Sequence, residues 1–164
     1  VFFLAAKLNT LSKPAAQTAF WIYSVMVGLS LFSIFAFYTG ESIARVFFIT
    51  AGTFGAMSLY GYSTKKDLSG WGSFLIMGVI GVILASLVNL FLQSSGLQFA
   101  ISVVGVLVFT GLTAYDTQRI KMTYYQMSQY GGQLGNAAIM GALTLYLDFI
   151  NIFVMLMQLL GDRR

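Results

Sequence analysis

Two aspartates, Asp116 and Asp148, are the residues of this sequence whose type and position are best suited to chemistry. Asp148 lies deep in an apolar run and Asp116 lies near the end of another. An acid at membrane depth costs about 2.5–3.5 kcal/mol on insertion scales, so such a residue predicts a functional site. If the two carboxyls meet at low dielectric, they cannot both be ionised, and they would share one proton and titrate as a unit. The pair would then be a pH-sensitive contact and, when ionised, a cation ligand.

The chain contains few side chains that could support other kinds of catalysis. There are no cysteines and no histidines, which removes thiolate and imidazole metal sites, cysteine nucleophiles and histidine bases. Intramembrane aspartyl proteases also use two acids on neighbouring helices, but their second acid follows a glycine, whereas Asp148 follows Leu147. The sequence therefore predicts a protein that is not an enzyme. The remaining acids, Glu41, Asp67 and Asp162, are predicted to be solvated in turns or in the tail.

Each of the two acids lies in a line of residues at helical spacing. One predicted stripe consists of Gly141, Thr144, Asp148, Asn151 and Met155, and the other of Thr113, Asp116 and either Arg119 or Ile120. Such narrow polar stripes on otherwise apolar helices predict inward-facing surfaces, and we expect the two to face each other. The alternative is that one acid forms an interfacial ion pair with Arg119 or Lys121.

The elements that carry these stripes are predicted to be membrane-spanning helices. Of the 164 residues, 58% are hydrophobic and 9% are charged, too few charges for a soluble domain. Several apolar runs reach the 18 or more residues of a spanning helix. The sequence predicts an all-α membrane protein with a single domain and five full spans, at about 15–38, 42–62, 71–92, 97–120 and 136–160. Residues 1–8 are interpreted as the tail of a truncated earlier span, so the chain looks like the C-terminal part of a longer protein.

The depths of the two acids depend on where the last two spans end. With the boundaries at 120 and 136, Asp148 would lie about 12 Å deeper than Asp116 by helical rise. If the fourth span continued to about Tyr124 and the fifth began near Ala138, the carboxyls would come within reach. Arg119 and Lys121 can reach the interface by snorkelling, which permits that extension.

Basic residues predict the orientation of the bundle. One side holds most of them, namely Lys7, Lys13, Lys65, Lys66, Arg119 and Lys121, and this side is predicted to be cytoplasmic. The C-terminus then lies on the other side, unless the last span dips in and returns. The basic residues lie in loops without interleaved aromatics, so nucleic-acid binding is not expected. Glycine and alanine recur at helix-packing spacing in two places, at Gly52 and Ala56 followed by Tyr60, and at Gly81 and Ala85 followed by Asn89.

Three segments of the sequence resemble known motifs. Residues 109–121, with Ala114-Tyr115-Asp116, and residues 143–153, with Tyr146-Leu147-Asp148, are similar to the signatures of the Bax inhibitor-1 family in its bacterial branch. Residues 57–69 also resemble that branch. The resemblance implies seven spans, of which the five here would be the third to the seventh, with the last helix central.

The resemblance also implies a function. Asp116 and Asp148 would form a hydrogen-bonded pH sensor that controls a calcium leak across the bacterial inner (cytoplasmic) membrane. Calcium would be the transported species, with no cofactor, and the lipid bilayer would be the surrounding partner. A family arginine that approaches the pair is replaced by Lys7, whose contact would be looser because lysine lacks the planar fork. The predicted supporting residues are Lys7, Thr113, Arg119, Thr144 and Asn151.

A second hypothesis belongs to a different functional class. The protein would be a regulatory partner that modulates a membrane protease or a stress or cell-death pathway. It would then use residues 121–135 and 161–164 as a docking surface for another membrane protein, and the acids would matter less.

Overall fold

Five long apolar helices make up the described part of the chain in the computed structural model, which covers Lys7, residues 10–131 and residues 134–164. The helices are α1 (Lys13–Ser30) with its short continuation α2 (Phe32–Phe37), α3 (Gly40–Ser63), α4 (Gly72–Leu92) after a 3₁₀ turn (Ser69–Trp71), α5 (Ser95–Tyr130) and α6 (Leu134–Leu160). The prediction of an all-α, multi-span membrane protein is confirmed. The predicted truncated span at 1–8 lies, apart from Lys7, outside the described residues.

Local sequence accounts for several helix ends. The side chains of Thr39 and Ser94 accept hydrogen bonds from backbone N–H groups three residues later, as N-capping residues do. At the end of α5, Gly131 takes a left-handed conformation with φ of 67°, which glycine adopts at no steric cost. The first span is interrupted at Leu31, where Ser30 Oγ donates to the carbonyl of Val27. Such back-bonding by serine bends helices.

α5 is longer than predicted, because it ends at Tyr130 rather than near Ile120. Its 36 residues correspond to about 54 Å, well beyond a hydrocarbon core of about 30 Å. Residues 121–130 contain neither glycine nor proline, so the helix continues into the polar region although the hydropathy has fallen. The segment predicted as a polar loop is therefore mostly helix, and α6 begins after it at Leu134.

Two helices share the centre of the bundle. α6 packs against α1, α3 and α5, in agreement with a central last helix, while α5 packs against α3, α4 and α6. Their apolar core is a cluster of buried side chains that includes Val46, Leu75, Val108, Leu112, Ile152 and Met157. Large apolar side chains on the outside of the bundle are exposed, among them Phe48, Leu59, Phe74, Phe91 and Leu107. A lipid environment is the one that accepts such a surface.

The C-terminal tail closes one end of the bundle. Arg45 Nη2 donates to Asp162 Oδ2 at 2.9 Å, and the backbone N–H of Thr39 donates to the carbonyl of Asp162 at 3.0 Å. Arg164 donates its backbone N–H to Phe37 at 2.9 Å. We call these contacts the tail clasp. α6 runs without interruption to Leu160, so the alternative in which the last span returns is not what the structure adopts.

The tail clasp defines two ends of the bundle. The Tyr38 end holds the clasp and the turn at 93–94, and the Lys65 end holds the loop at 64–68 and the C-terminal part of α5. Lys13 also lies at the Lys65 end, because its side chain contacts Gly135 at the start of α6. The assignment of the Lys65 end to the cytoplasm remains a prediction from charge.

Candidate functional site

The hairpin of α5 and α6 brings the two acids to the same level. Asp116 lies 14 residues before the end of α5 at Tyr130, and Asp148 lies 14 residues after α6 begins at Leu134. Each acid is therefore about 21 Å from the connecting turn by helical rise. The difference in depth that the shorter predicted spans implied disappears, because the extension of α5 places both carboxyls opposite each other.

The carboxyl groups of Asp116 and Asp148 lie within hydrogen-bonding reach of each other. Only 7% of Asp116 and 4% of Asp148 is exposed. A carboxylate has no donor, so a hydrogen bond between two carboxyls requires that one of them carries a proton. Asp148 Oδ2 has no hydrogen-bond partner among the described residues. The arrangement is a buried pair of carboxyl groups that can hydrogen-bond to each other when one of them is protonated.

The predicted supporting residues near the acid pair satisfy their own helices. Thr113 Oγ1 donates to the carbonyl of Phe109 at 2.8 Å, and Thr144 Oγ1 donates to that of Met140 at 3.0 Å. Asn151 Nδ2 donates to the carbonyl of Leu147, also in its own helix. Each of the three side chains therefore donates to the backbone carbonyl four residues earlier in its own helix. Among the described residues, none of them forms a hydrogen bond with Asp116 or Asp148.

Arg119 is the cation whose charge acts on Asp116. It is exposed, one helical turn from the acid. Lys7 is also exposed and helical, and its carbonyl accepts hydrogen bonds from Thr10 and Leu11. The structure thus places Arg119 beside the pair, while an approach of the Lys7 side chain to the pair stays a prediction.

A cavity of about 650 Å³ is bordered by Asp116, one of the two acids. It lies between the C-terminal half of α5 and the N-terminal half of α6. Asp116 and Thr144 line it, and Tyr62, Arg119 and Lys121 also contribute to its wall. The carboxyl of Asp116 therefore borders an open space rather than packed side chains on this side. Sequence reasoning did not predict this cavity, because it depends on how α5 and α6 diverge.

A buried glutamine that the sequence analysis missed holds the neighbouring loop. Gln118 Nε2 donates to the carbonyl of Lys66 at 2.8 Å, and its Oε1 accepts the backbone N–H of Leu68 at 2.8 Å. One turn further along, Lys121 Nζ donates to the carbonyl of Tyr62 at 2.7 Å. These contacts fasten the loop at 64–68 to α5 close to Asp116.

Within that loop, Asp67 behaves as a solvated turn residue. The hydroxyl and the backbone N–H of Ser69 both donate to Asp67 Oδ1. The hydrogen bond from the Ser69 hydroxyl, and to a smaller extent the one from its backbone N–H, hold the pKa of Asp67 below its ordinary value of 3.8. Asp67 is thus ionised at neutral pH and satisfied locally, apart from the buried pair.

Close helix packing near the acid pair occurs at glycines other than those predicted. A Cβ on Gly61 would lie 2.2 Å from the carbonyl oxygen of Ala114, two residues before Asp116. By contrast, Gly52, Ala56 and Tyr60 are exposed, so the prediction of a packing face there was wrong. Gly81 is also exposed, although Asn89 at the end of that predicted line is buried. Spacing alone did not show which small-residue face has a partner helix.

As a metal site, the pair offers two carboxylates and little else. No group of three or more acidic, histidine or cysteine side chains that could hold a metal ion occurs within residues 10–131 and 134–164 or at Lys7. Calcium takes six to eight oxygen ligands. Water or backbone carbonyls would have to complete the coordination, which suits transient contact with a passing ion better than a resident one.

Comparison with known proteins identifies the family. The family model described as "Inhibitor of apoptosis-promoting Bax1" matches residues 1–164. The inner membrane protein YbhL of Escherichia coli K12 is 52% identical over 165 residues, which cover all of this chain and 70% of YbhL. An uncharacterized protein of Rickettsia prowazekii is 57% identical over 91% of this chain and 63% of its own length. An uncharacterized membrane protein of Streptococcus pyogenes serotype M1 is 42% identical over 96% of this chain and 66% of its own length. The chain therefore belongs to the Bax inhibitor-1 family of membrane proteins.

Proposed function

We propose that the protein is a pH-sensitive calcium-leak channel or transporter of the bacterial inner membrane. The observation that carries the proposal is the contact between the buried carboxyls of Asp116 and Asp148. It joins the two central helices at membrane depth, where an unpaired acid is costly. A change in the number of protons on the pair changes the contact between α5 and α6, and thereby the path between them.

The cavity at the Lys65 end supports this role. Asp116 lines it, so hydrated cations and protons that enter the cavity would meet this carboxyl. Calcium is the transported species rather than a cofactor, and the role requires no covalent chemistry of the chain. The inner membrane is the location that YbhL has by its name, and the five spanning helices suit it.

The experiment is calcium flux into proteoliposomes at a series of pH values. We expect Asp148→Asn and Asp116→Asn each to lose the pH dependence of the parent, because an amide neither binds nor releases the shared proton. Asp162→Asn, an exposed acid at the Tyr38 end, is the matched control and should keep the parental profile. An Asp148→Asn variant with the parental profile would refute the acid pair as the sensor.

A second proposal, a regulatory role through a membrane-protein partner, draws on the extension of α5 beyond Ile120. Met122, Tyr124, Tyr125 and Tyr130 are exposed there, and aromatic side chains are enriched in protein interfaces. The tail at 161–164 is held in the tail clasp and is less available. A partner that co-purifies with the parent but not with a Tyr124→Ser, Tyr125→Ser variant, together with flux independent of both acids, would favour this role.

A further inference from the structure

A single seam between α5 and α6 connects the acid pair with the Tyr38 end. The helices are antiparallel neighbours, and side chains meet across the seam at four levels. From the Lys65 end to the Tyr38 end, these are Ile120 with Gly141, Asp116 with Asp148, Gly105 with Met155, and Ser102 with Gln158. The acids are thus one of two polar levels on the same seam.

The second polar level is a cluster of neutral side chains, which we call the amide cluster: Asn89, Gln98, Ser102 and Gln158. Asn89 Nδ2 donates to Gln98 Oε1 at 3.0 Å, and Gln98 Nε2 donates to Gln158 Oε1 at 2.7 Å. Ser102 Oγ also donates to Gln158 Oε1, at 2.8 Å. Gln158 is exposed and Ser102 is 1% exposed. The cluster therefore reaches from the surface at the Tyr38 end into the buried seam.

An apolar contact separates the two polar levels. A Cβ on Gly105 would lie 2.8 Å from Met155 Sδ and 3.0 Å from its Cε, so the thioether lies directly on the glycine backbone. Met155 is three residues from Gln158 and seven from Asp148, about 4.5 and 10 Å along α6. An unbranched methionine can change rotamer more readily than a branched side chain. Apolar constrictions of this kind close pores by excluding water.

We propose that this seam is the half of the cation path that leads from the acid pair to the Tyr38 end, with the amide cluster as its mouth and Met155 on Gly105 as its closure. The inference rests on the proposed function and adds the residues of the second half of the path. Amide and hydroxyl oxygens are ligands that hard divalent cations accept. Gln98 Oε1 and Asn89 Oδ1 each accept one hydrogen bond, so each keeps a lone pair that a cation at the mouth can take in exchange for a water.

The test is cysteine accessibility, since the chain has no cysteine of its own. A membrane-impermeant thiol reagent is added to spheroplasts and to inverted vesicles that carry one of three single variants, Gln158→Cys, Asn151→Cys or Thr50→Cys. A fourth variant, Lys66→Cys, marks the opposite membrane face. Asn151 lies between Met155 and Asp148. Thr50 is fully buried in α3 at a comparable distance from the Tyr38 end, so it is the control for general loosening of the bundle. Each variant except Lys66→Cys is also made with Met155→Ala and with Met155→Leu.

The expected pattern is specific to the seam. The relevant membrane face is the one from which the reagent labels Gln158→Cys and not Lys66→Cys. From this face, Asn151→Cys should be protected, both alone and together with Met155→Leu. Together with Met155→Ala, it should be labelled at least tenfold faster. Thr50→Cys should remain unlabelled throughout. Protection of Asn151→Cys in the Met155→Ala background, or equal labelling of Thr50→Cys there, would overturn the proposal.

Calcium flux separates this inference from the proposed function. Met155→Ala should raise flux several-fold and keep the pH dependence, because the acid pair is intact. The labelling pattern needs no calcium transport, so it can fail while the acid pair still controls flux. Conversely, the aspartate variants could keep the parental pH profile of calcium flux while the labelling pattern is as expected. The seam would then be a hydrated path for another solute.

Discussion

Gly61 provides the sharpest stability test of the helix packing beside the acid pair. A Cβ there would lie 2.2 Å from the carbonyl oxygen of Ala114 and 2.8 Å from its carbonyl carbon and Cα. All three are backbone atoms of α5, so no flexible side chain can move aside. The substitution Gly61→Ala must therefore separate α3 from α5.

The size of the effect follows from the geometry. An ordinary contact begins at 3.4 Å, so the two helices must move apart locally by about 1 Å. Overpacking of this kind costs about 1–3 kcal/mol, and the better helix propensity of alanine returns up to about 1 kcal/mol. We expect a net loss of about 1–2 kcal/mol, which is a factor of about 5–30 in the unfolding equilibrium.

The assay is reversible unfolding in mixed micelles, followed by tryptophan fluorescence or circular dichroism as the fraction of denaturing detergent rises. Gly55→Ala is the matched control, because it lies in the same helix and nothing is within 4 Å of its Cβ position. It should be neutral or slightly stabilising. If Gly61→Ala proved as stable as Gly55→Ala, the close approach of α3 and α5 would be refuted.

Three further predictions concern the loop and the tail. Gln118→Leu removes the hydrogen-bond partner of two backbone groups in the loop, so trypsin should cleave the peptide bond between residues 65 and 66 several-fold faster. An unchanged rate of cleavage would contradict this prediction. Ser69→Ala should raise the pKa of Asp67 toward its ordinary value in an NMR titration. Because a lowered folded-state pKa stabilises the fold above the unfolded-state pKa, the parent should be more stable than the variant at neutral pH, and the difference should vanish as pH falls through the folded-state pKa of Asp67. Asp162→Asn should cost less than about 1 kcal/mol, since its ion pair is exposed, and a larger loss in the same micelle assay would show that the tail clasp contributes more than a surface pair.

The sequence predicted the acid pair more accurately than it predicted the helices that carry it. The apolar runs located five spans, and the helical stripes around Asp116 and Asp148 indicated facing surfaces. The hydropathy of residues 121–130 is too low to mark a span, yet these residues are helical. Hydropathy reports burial in lipid, whereas helix continuation depends on the absence of glycine and proline. The equal depth of the acids could be recognised only once α5 was seen to reach Tyr130.

Long-range contacts could not be predicted from the sequence, for a different reason. Gln118 bonds to the backbone of residues about 50 positions earlier, and backbone groups carry no sequence signal. The glycines show the same limit, because Gly61 and Gly55 occupy the same helix and only one of them meets another backbone. Which face of a helix has a partner is decided by the packing of the whole bundle.

The tail clasp anchors the C-terminal end of α6, so a tilt of this helix would turn about that end. Asp148 lies 12 residues before Leu160, about 18 Å from the anchored end, and Leu134 lies about 39 Å from it. A tilt of about 6° would move Asp148 by about 2 Å and Leu134 by about 4 Å. The first displacement would separate the two carboxyls, and the second would fall beside the cavity that Leu134 lines.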